Sequence, residues 1–381
     1  MKHFLTTEDW SQQEIQALLD DAVAMKRANS LTPGPSPGGR GGHDRLRGKS
    51  IALVFFNPSL RTRTSFEVGA WQMGGHAVVL EPGKGAWPIA FHDVGAGVPM
   101  LGEEEEHVKE AARVLSRYCD LIAVRAFPKF VDWKIDREDR VIKAFAKYSA
   151  VPVINMETIV HPCQELALAL AMQERFGGEA SRHQGIEASR TSDHEQRTTN
   201  NEQRTADLCR DLRGKKFLLT WTYHPRPLNT AVANSALLIA TKLGMDVTLL
   251  CPTPEYVLDE RFMASATRQA SEAGGSVTVA HDIESGYRGA NVVYAKSWGA
   301  LPYFGRWEEE KPIRDRFKHF IVDEAKMALT PDACFSHCLP MRRNVKATDG
   351  VIDSPRSMII DEAENRLHVQ KAVMSALIGK A

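Results

Sequence analysis

Ser50-Ile-Ala-Leu-Val-Phe-Phe56 runs straight into Asn57-Pro-Ser-Leu-Arg-Thr-Arg-Thr-Ser65, and this junction decides the fold. A continuous apolar run of that length suits a strand buried on both faces, as in a parallel sheet. A breaker and a hydroxyl follow, Pro58 and Ser59, and the spacing predicts a helix from roughly Thr64 to Met73. Strand feeding into helix is the unit of a doubly wound α/β sheet.

The unit repeats in both directions. Further apolar runs are Ala77–Leu80, Leu121–Val124 and Val151–Ile154, separated by helical patterns near Glu104–Tyr118 and Glu138–Tyr148. A helix expected from about Pro162 to Phe176 then leads away and would link two domains. Past it the alternation resumes, with strands expected at Phe217–Thr220, Val247–Leu250, Ser276–Val279, Asn291–Tyr294 and, late, Phe320–Val322. Helices are expected near Thr230–Leu243, Asp259–Ala273 and Glu362–Ile378. At the start, Ser11-Gln-Gln-Glu14 is a capping box ahead of an amphipathic helix. The expectation is two doubly wound parallel-sheet domains, residues 1–160 and 161–361, with the C-terminal helix 362–381 returning to the first.

Two segments stand outside this scheme. Thr32–Gly42 is dense in proline and glycine and reads as a flexible loop within 32–46. Residues 178–211 are polar, nearly free of large apolar side chains, and read as a disordered insertion. The 381 residues carry as many basic as acidic side chains, 48 of each. That balance points to neither nucleic acid nor a membrane as partner. No apolar run approaches the ~20 residues of a bilayer span, and six scattered cysteines without a CxxC pair fit a cytoplasmic protein.

Ligands of open α/β sheets bind where strands end and helices begin, and a helix N-terminus offers free N–H donors to an anion. Ser59, Arg61, Thr62 and Arg63 stand there. The plainer reading makes Ser59 a helix cap and leaves the arginines in water. Neither a dinucleotide nor a Walker-type glycine pattern is present. Ser59-Leu-Arg-Thr-Arg-Thr-Ser65, His161-Pro-Cys-Gln164 and His337-Cys-Leu-Pro340 occur in that order. Together they resemble the S-x-R-T-R-T-S, H-P-x-Q and H-C-L-P signatures of the aspartate/ornithine carbamoyltransferase family.

The resemblance implies a role for each residue. Carbamoyl phosphate would be held by Ser59, Leu60, Arg61, Thr62, Arg63, Trp87, Arg125, His161, Pro162, Cys163, Gln164, Cys338, Leu339 and Arg366. Arg125, His161 and Gln164 would be catalytic: they stabilise the negative charge that grows on the carbamoyl oxygen and accept from its NH2 group. It also implies a cis Leu339-Pro340 bond and a homotrimer with sites at subunit borders, where the loop after Trp87 reaches a neighbour. No cofactor or metal is needed. The bland alternatives are a satisfied helix-terminal histidine for His161, a small buried residue for Cys163, and a zinc cluster of His337 with Cys334 and Cys338, which lacks a fourth ligand.

The acceptor is read from charge. Ornithine enzymes of the family resemble one another in an acidic loop that pairs with the free α-ammonium. Here the stretch is Ala295-Lys-Ser-Trp-Gly-Ala-Leu301. Lys296 would repel an ammonium and attract a carboxylate, which favours an acceptor with an acylated α-amine. Gly85–Pro88, Trp221–Leu228 and Arg342–Asp349 resemble the branch that uses N-acetyl-L-ornithine, and this makes Glu105, Glu157, Lys296, Leu339 and Lys346 acceptor contacts. Glu105 stands where succinyl-using relatives carry proline, although Pro99 in the lengthened stretch 90–102 leaves the register open. A succinylornithine or ornithine enzyme, or a catalytically silent carbamoyl phosphate-binding relative, are the other readings.

Overall fold

The computed structural model describes residues 1–30, 44–92, 97–184 and 210–379. The first sheet is four-stranded and parallel, in the order β2-β1-β5-β6: β1 is Ser50–Phe55, β2 His76–Leu80, β5 Leu121–Arg125 and β6 Val153–Glu157. Two short strands, β3 (Ile89–Ala90) and β4 (Glu106–His107), pair beside it. The second sheet, also parallel, has the order β11-β10-β7-β8-β9. Its strands are β7 Lys216–Trp221, β8 Asp246–Leu250, β9 Ser276–Ala280, β10 Val292–Lys296 and β11 Cys334–Ser336. Central strands such as β1, β5 and β7 are buried almost throughout, as their unbroken apolar runs require.

Helices α1 (Gln12–Ser30), α2 (Arg61–Gln72), α3 (Val108–Tyr118), α4 (Arg140–Tyr148), α5 (Pro162–Gln184), α6 (Ala231–Lys242), α7 (Glu260–Ala273) and α8 (Ile359–Ile378) cover the sheets. The capping box forms: Ser11 N–H donates to Glu14 Oε2 at 2.9 Å, and Glu14 N–H to Ser11 Oγ at 3.2 Å. Helix α8 packs against α1, α2 and α5, so the end of the chain returns to the first sheet.

Four expectations shift. Strand β6 begins at Val153 and runs on through Asn155 and Glu157, because its buried polar end hid it from an apolar pattern. Helix α3 begins at Val108, since Glu106 and His107 pair in β4 and the His107 ring accepts from Lys109 N–H. The late strand expected at Phe320–Val322 is only a Val322–Ala347 bridge; Phe320 ends a 3-10 turn and packs on Trp221. The edge strand is Cys334–Ser336 instead, beside β10. Helix α5 continues through Gln184, into the segment read as disordered, where Glu179, Ala180, Arg182 and Gln184 are adequate helix formers. The rest of that insertion, 185–209, and most of the 32–46 loop lie outside the described residues.

Glu165, in the first turn of α5, is buried and accepts from Thr7 Oγ1. Burial pushes its carboxyl up to about 8, against the opposing hydrogen bonds of Thr7 and Ser235. Its folded pKa thus lies above its unfolded one. The native state holds this proton more tightly, and stability falls as pH rises from the ordinary carboxylate range toward about 8. Glu165→Gln keeps the shape and removes the titration. We expect it to raise Tm by about 2–5 °C near pH 8 and to leave Tm little changed near pH 5, as thermal unfolding at the two pH values will show.

Candidate active site

Ser59 does cap the helix: its Oγ accepts from Thr62 N–H at 3.1 Å. The cap begins α2 at Arg61, a turn before the expected start, so Arg61 and Thr62 occupy the first turn at the carboxyl end of β1. Arg61 is half-buried, and its guanidinium makes no ion pair among the described residues. Burial, and the neighbouring Arg125 guanidinium, lower its pKa, while Cys338 and Glu157 counter them. Thr62 is buried, and its Oγ1 accepts from Arg366 Nη2 at 2.9 Å. The helix-cap reading and the anion reading are therefore compatible.

The ends of the neighbouring strands supply the next group. A register shift between Val124 and Arg125 sets Arg125 opposite Glu157 across β5 and β6. Arg125 Nη1 donates to Glu157 Oε2, and His161 Nε2 lies 3.4 Å from the same oxygen. His161 heads α5, its backbone N–H fixed on Ser235 Oγ of α6 at 2.7 Å. Burial, reinforced by Arg366, Arg125, Lys296 and Arg61, drives its pKa well below the ordinary histidine value, so the imidazole is neutral. Among the described residues, Arg125 Nε, His161 Nδ1 and Arg366 Nε are buried without partners. Orphaned polar atoms on three members of one site are what a polar ligand would satisfy. Cys163 is wholly buried, and burial lifts its thiol to about 12. It is a small core residue and no nucleophile.

The second sheet contributes a cationic wall. Lys296 ends β10, with Nζ 3.7 Å from Cys338 Sγ. His337 Nδ1 accepts from Leu339 N–H at 2.9 Å, and His337 Nε2 faces Lys346 Nζ at 3.2 Å. Both ring nitrogens are thus engaged, which accounts for His337 without a metal. Burial, then Lys346 and Lys296, hold His337 well below the usual histidine range. Burial and the nearby Lys296 bring Lys346 down to about 7. Leu339 has φ 50°, and the Leu339-Pro340 peptide is cis.

Not every expected residue joins the group. Arg63 turns outward to Glu67 and Glu81, at 3.6 and 3.7 Å. Leu60 is 78% exposed and Trp87 67% exposed, and Glu105 is also exposed. Three residues went unread in the sequence: Glu362, Tyr294 and Ser336. Glu362 is fully buried at the start of α8 and accepts from Gln164 Nε2, Tyr294 OH and Ser336 Oγ. No contrast with an apolar face marked Glu362, since Asn365 and Arg366 share its face of α8 and are buried too.

Comparison with known proteins follows the same lines. The family model for the carbamoyl-P binding domain of aspartate/ornithine carbamoyltransferases matches residues 2–174, and that for the Asp/Orn binding domain matches residues 223–377. An N-acetylornithine carbamoyltransferase of Xanthomonas campestris is 63% identical over 381 residues, covering 100% of this chain and 99% of the relative. One from Xylella fastidiosa is 60% identical over 377 residues, covering 99% of this chain and 98% of the relative. The crystal structure of an acetylornithine transcarbamylase complexed with acetylcitrulline superposes with a TM-score of 0.86 at 62% identity, over 99% of both chains.

Proposed function

The chain belongs to the aspartate/ornithine carbamoyltransferase family, and from that premise we propose that it moves the carbamoyl group of carbamoyl phosphate to the side-chain amine of N-acetyl-L-ornithine. The products are N-acetyl-L-citrulline and phosphate, in the service of arginine biosynthesis. One observation carries the reading: the Arg61–Thr62–Arg125–Arg366 cradle, with neutral His161 and Gln164, stands beside the Lys296–Lys346 wall.

The chemistry needs those two halves. The amine nitrogen attacks the carbamoyl carbon, the bond from that carbon to the phosphate oxygen breaks, and phosphate leaves with the electron pair. Negative charge grows on the carbamoyl oxygen in between. Arg125 and the neutral His161, both buried, are the preorganised donors that stabilise it. The amine's surplus proton passes to the departing phosphate. Residues 1–160 with helix 362–381 would hold carbamoyl phosphate, and 161–361 the acceptor. There Lys296 and Lys346 meet the α-carboxylate, and acylation has removed the ammonium they would repel.

Exposed Trp87 and Glu105 support a homotrimer in which the loop after Trp87 serves a neighbouring copy's site. A cytoplasmic location accords with two soluble substrates, and among the described residues no helix is long and apolar enough to cross a membrane. The test is a panel: purified protein with carbamoyl phosphate and, separately, N-acetylornithine, N-succinylornithine, ornithine and aspartate. We expect turnover with N-acetylornithine to exceed that with ornithine by at least about 100-fold. Product from ornithine and none from either acylated form would refute the acceptor.

A further inference from the structure

We propose that Glu362 is a positioning residue that fixes which end of the Gln164 side-chain amide faces carbamoyl phosphate. The inference deepens the carbamoyl-transfer reading and rests on it. Gln164, buried in the first turn of α5, is held at both ends by one helix. Its Nε2 donates to Glu362 Oε1, and its Oε1 accepts from Arg366 Nη1 at 2.5 Å. Glu362 and Arg366 are four residues apart on α8 and so share a face. A carboxylate only accepts and a guanidinium only donates. One orientation of the amide satisfies both. The flipped one sets acceptor against acceptor and donor against donor.

The fixed orientation is the useful one. It turns the amide oxygen toward Arg366, whose other Nη reaches Thr62 in the phosphate cradle at 2.9 Å. That oxygen has a second lone pair, available to the NH2 of a carbamoyl group. Glu362 is in turn pinned from the second sheet: Tyr294 OH donates to Oε1 at 3.2 Å, and Ser336 Oγ donates to Oε2. The carboxylate thus has three donors, from α5, β10 and β11. Through it the second sheet sets the polarity of a side chain that serves the first.

Acetyl phosphate has a methyl where carbamoyl phosphate has its NH2, so the ratio of their affinities reads the amide oxygen, while inorganic phosphate reads the cradle alone. Calorimetric titration of the full chain is the measurement. The wild type is expected to prefer carbamoyl phosphate, and Gln164→Ala to lose that preference. Glu362→Gln should lower it about tenfold while phosphate affinity stays within about twofold. The Gln164→Ala/Glu362→Gln double variant should lose no more than Gln164→Ala alone, since one residue acts through the other.

Glu362→Asp keeps the charge but withdraws it by one methylene, and it gives the same reading if the glutamine variant does not fold. An unchanged carbamoyl-to-acetyl ratio in a folded variant overturns the inference. So does a loss shared equally by all three ligands, the mark of a core link with no positioning role. A wild type that binds carbamoyl phosphate selectively yet fails to carbamoylate any acceptor would sink the functional reading. The ratios would still decide the inference.

Discussion

Arg61→Ala is expected to weaken carbamoyl phosphate binding by about 100- to 1,000-fold, the loss of a forked, charge-assisted contact to phosphate oxygens. The structure separates that loss from damage to the fold. The Arg61 guanidinium is half-buried, makes no ion pair among the described residues, and faces the like charge of Arg125. Removing it relieves repulsion and leaves no buried carboxylate without a partner. Tm should therefore stay within about 2 °C of wild type, or rise. Calorimetry with carbamoyl phosphate, paired with a thermal melt, checks both halves. Unchanged affinity would take Arg61 out of the site. A large fall in Tm would mean that the cradle is structural first.

Lys296→Ala should be nearly as costly to the acceptor, with kcat/KM for N-acetylornithine falling about 10- to 100-fold as one charge-assisted bond to its carboxylate is lost. The variant carries a second signature. Lys296 is, after burial, the main reason Lys346 titrates at about 7. In the wild type, Lys346 is a cation below that value and an amine above it, so affinity for a carboxylate falls as pH rises through about 7. Without Lys296 the Lys346 pKa moves back toward the ordinary lysine value, and the fall moves to higher pH. N-Acetyl-L-norvaline has the carboxylate and lacks the reacting amine, so its inhibition constant against pH isolates this effect. Superimposable pH profiles in wild type and variant would show that the two lysines do not share a field.

The fold was legible because its central strands are buried on both faces. Runs such as Ile51–Phe55 and Leu218–Trp221 leave no periodicity to misread. Reading failed where polarity and burial part company. Strand β6 ends on Asn155 and Glu157, both buried, and β11 is a short Cys-Phe-Ser beside it in kind. Phe320–Val322 looked like a strand because aromatic packing on Trp221 requires the same residues that a strand does.

In the site, motifs led to Arg61, Thr62, His161 and Gln164, since a helix N-terminus after a strand has a local pattern. Glu362 had none. Its meaning lies in partners 198, 68 and 26 residues away, and no window along the chain contains them. Arg63 shows the reverse: it sits inside a motif, yet its i,i+4 neighbour Glu67 and the nearby Glu81 claim it.

The last long helix is also the last part of the site to be synthesised. Arg366 meets Thr62 across 304 residues of chain, and Glu362 meets Gln164 across 198. A nascent polypeptide on the ribosome can pair β1 with β2 and cap α2, but it has no guanidinium to set against Thr62 until Arg366 has been added. Closing so long a loop costs only slightly more entropy than closing a shorter one, since the cost grows with the logarithm of length. The delay is more severe than the energy: contacts this distant in sequence form slowly. Competence to bind the carbamoyl donor should thus arrive as a late, single event in biogenesis, after both sheets have collapsed.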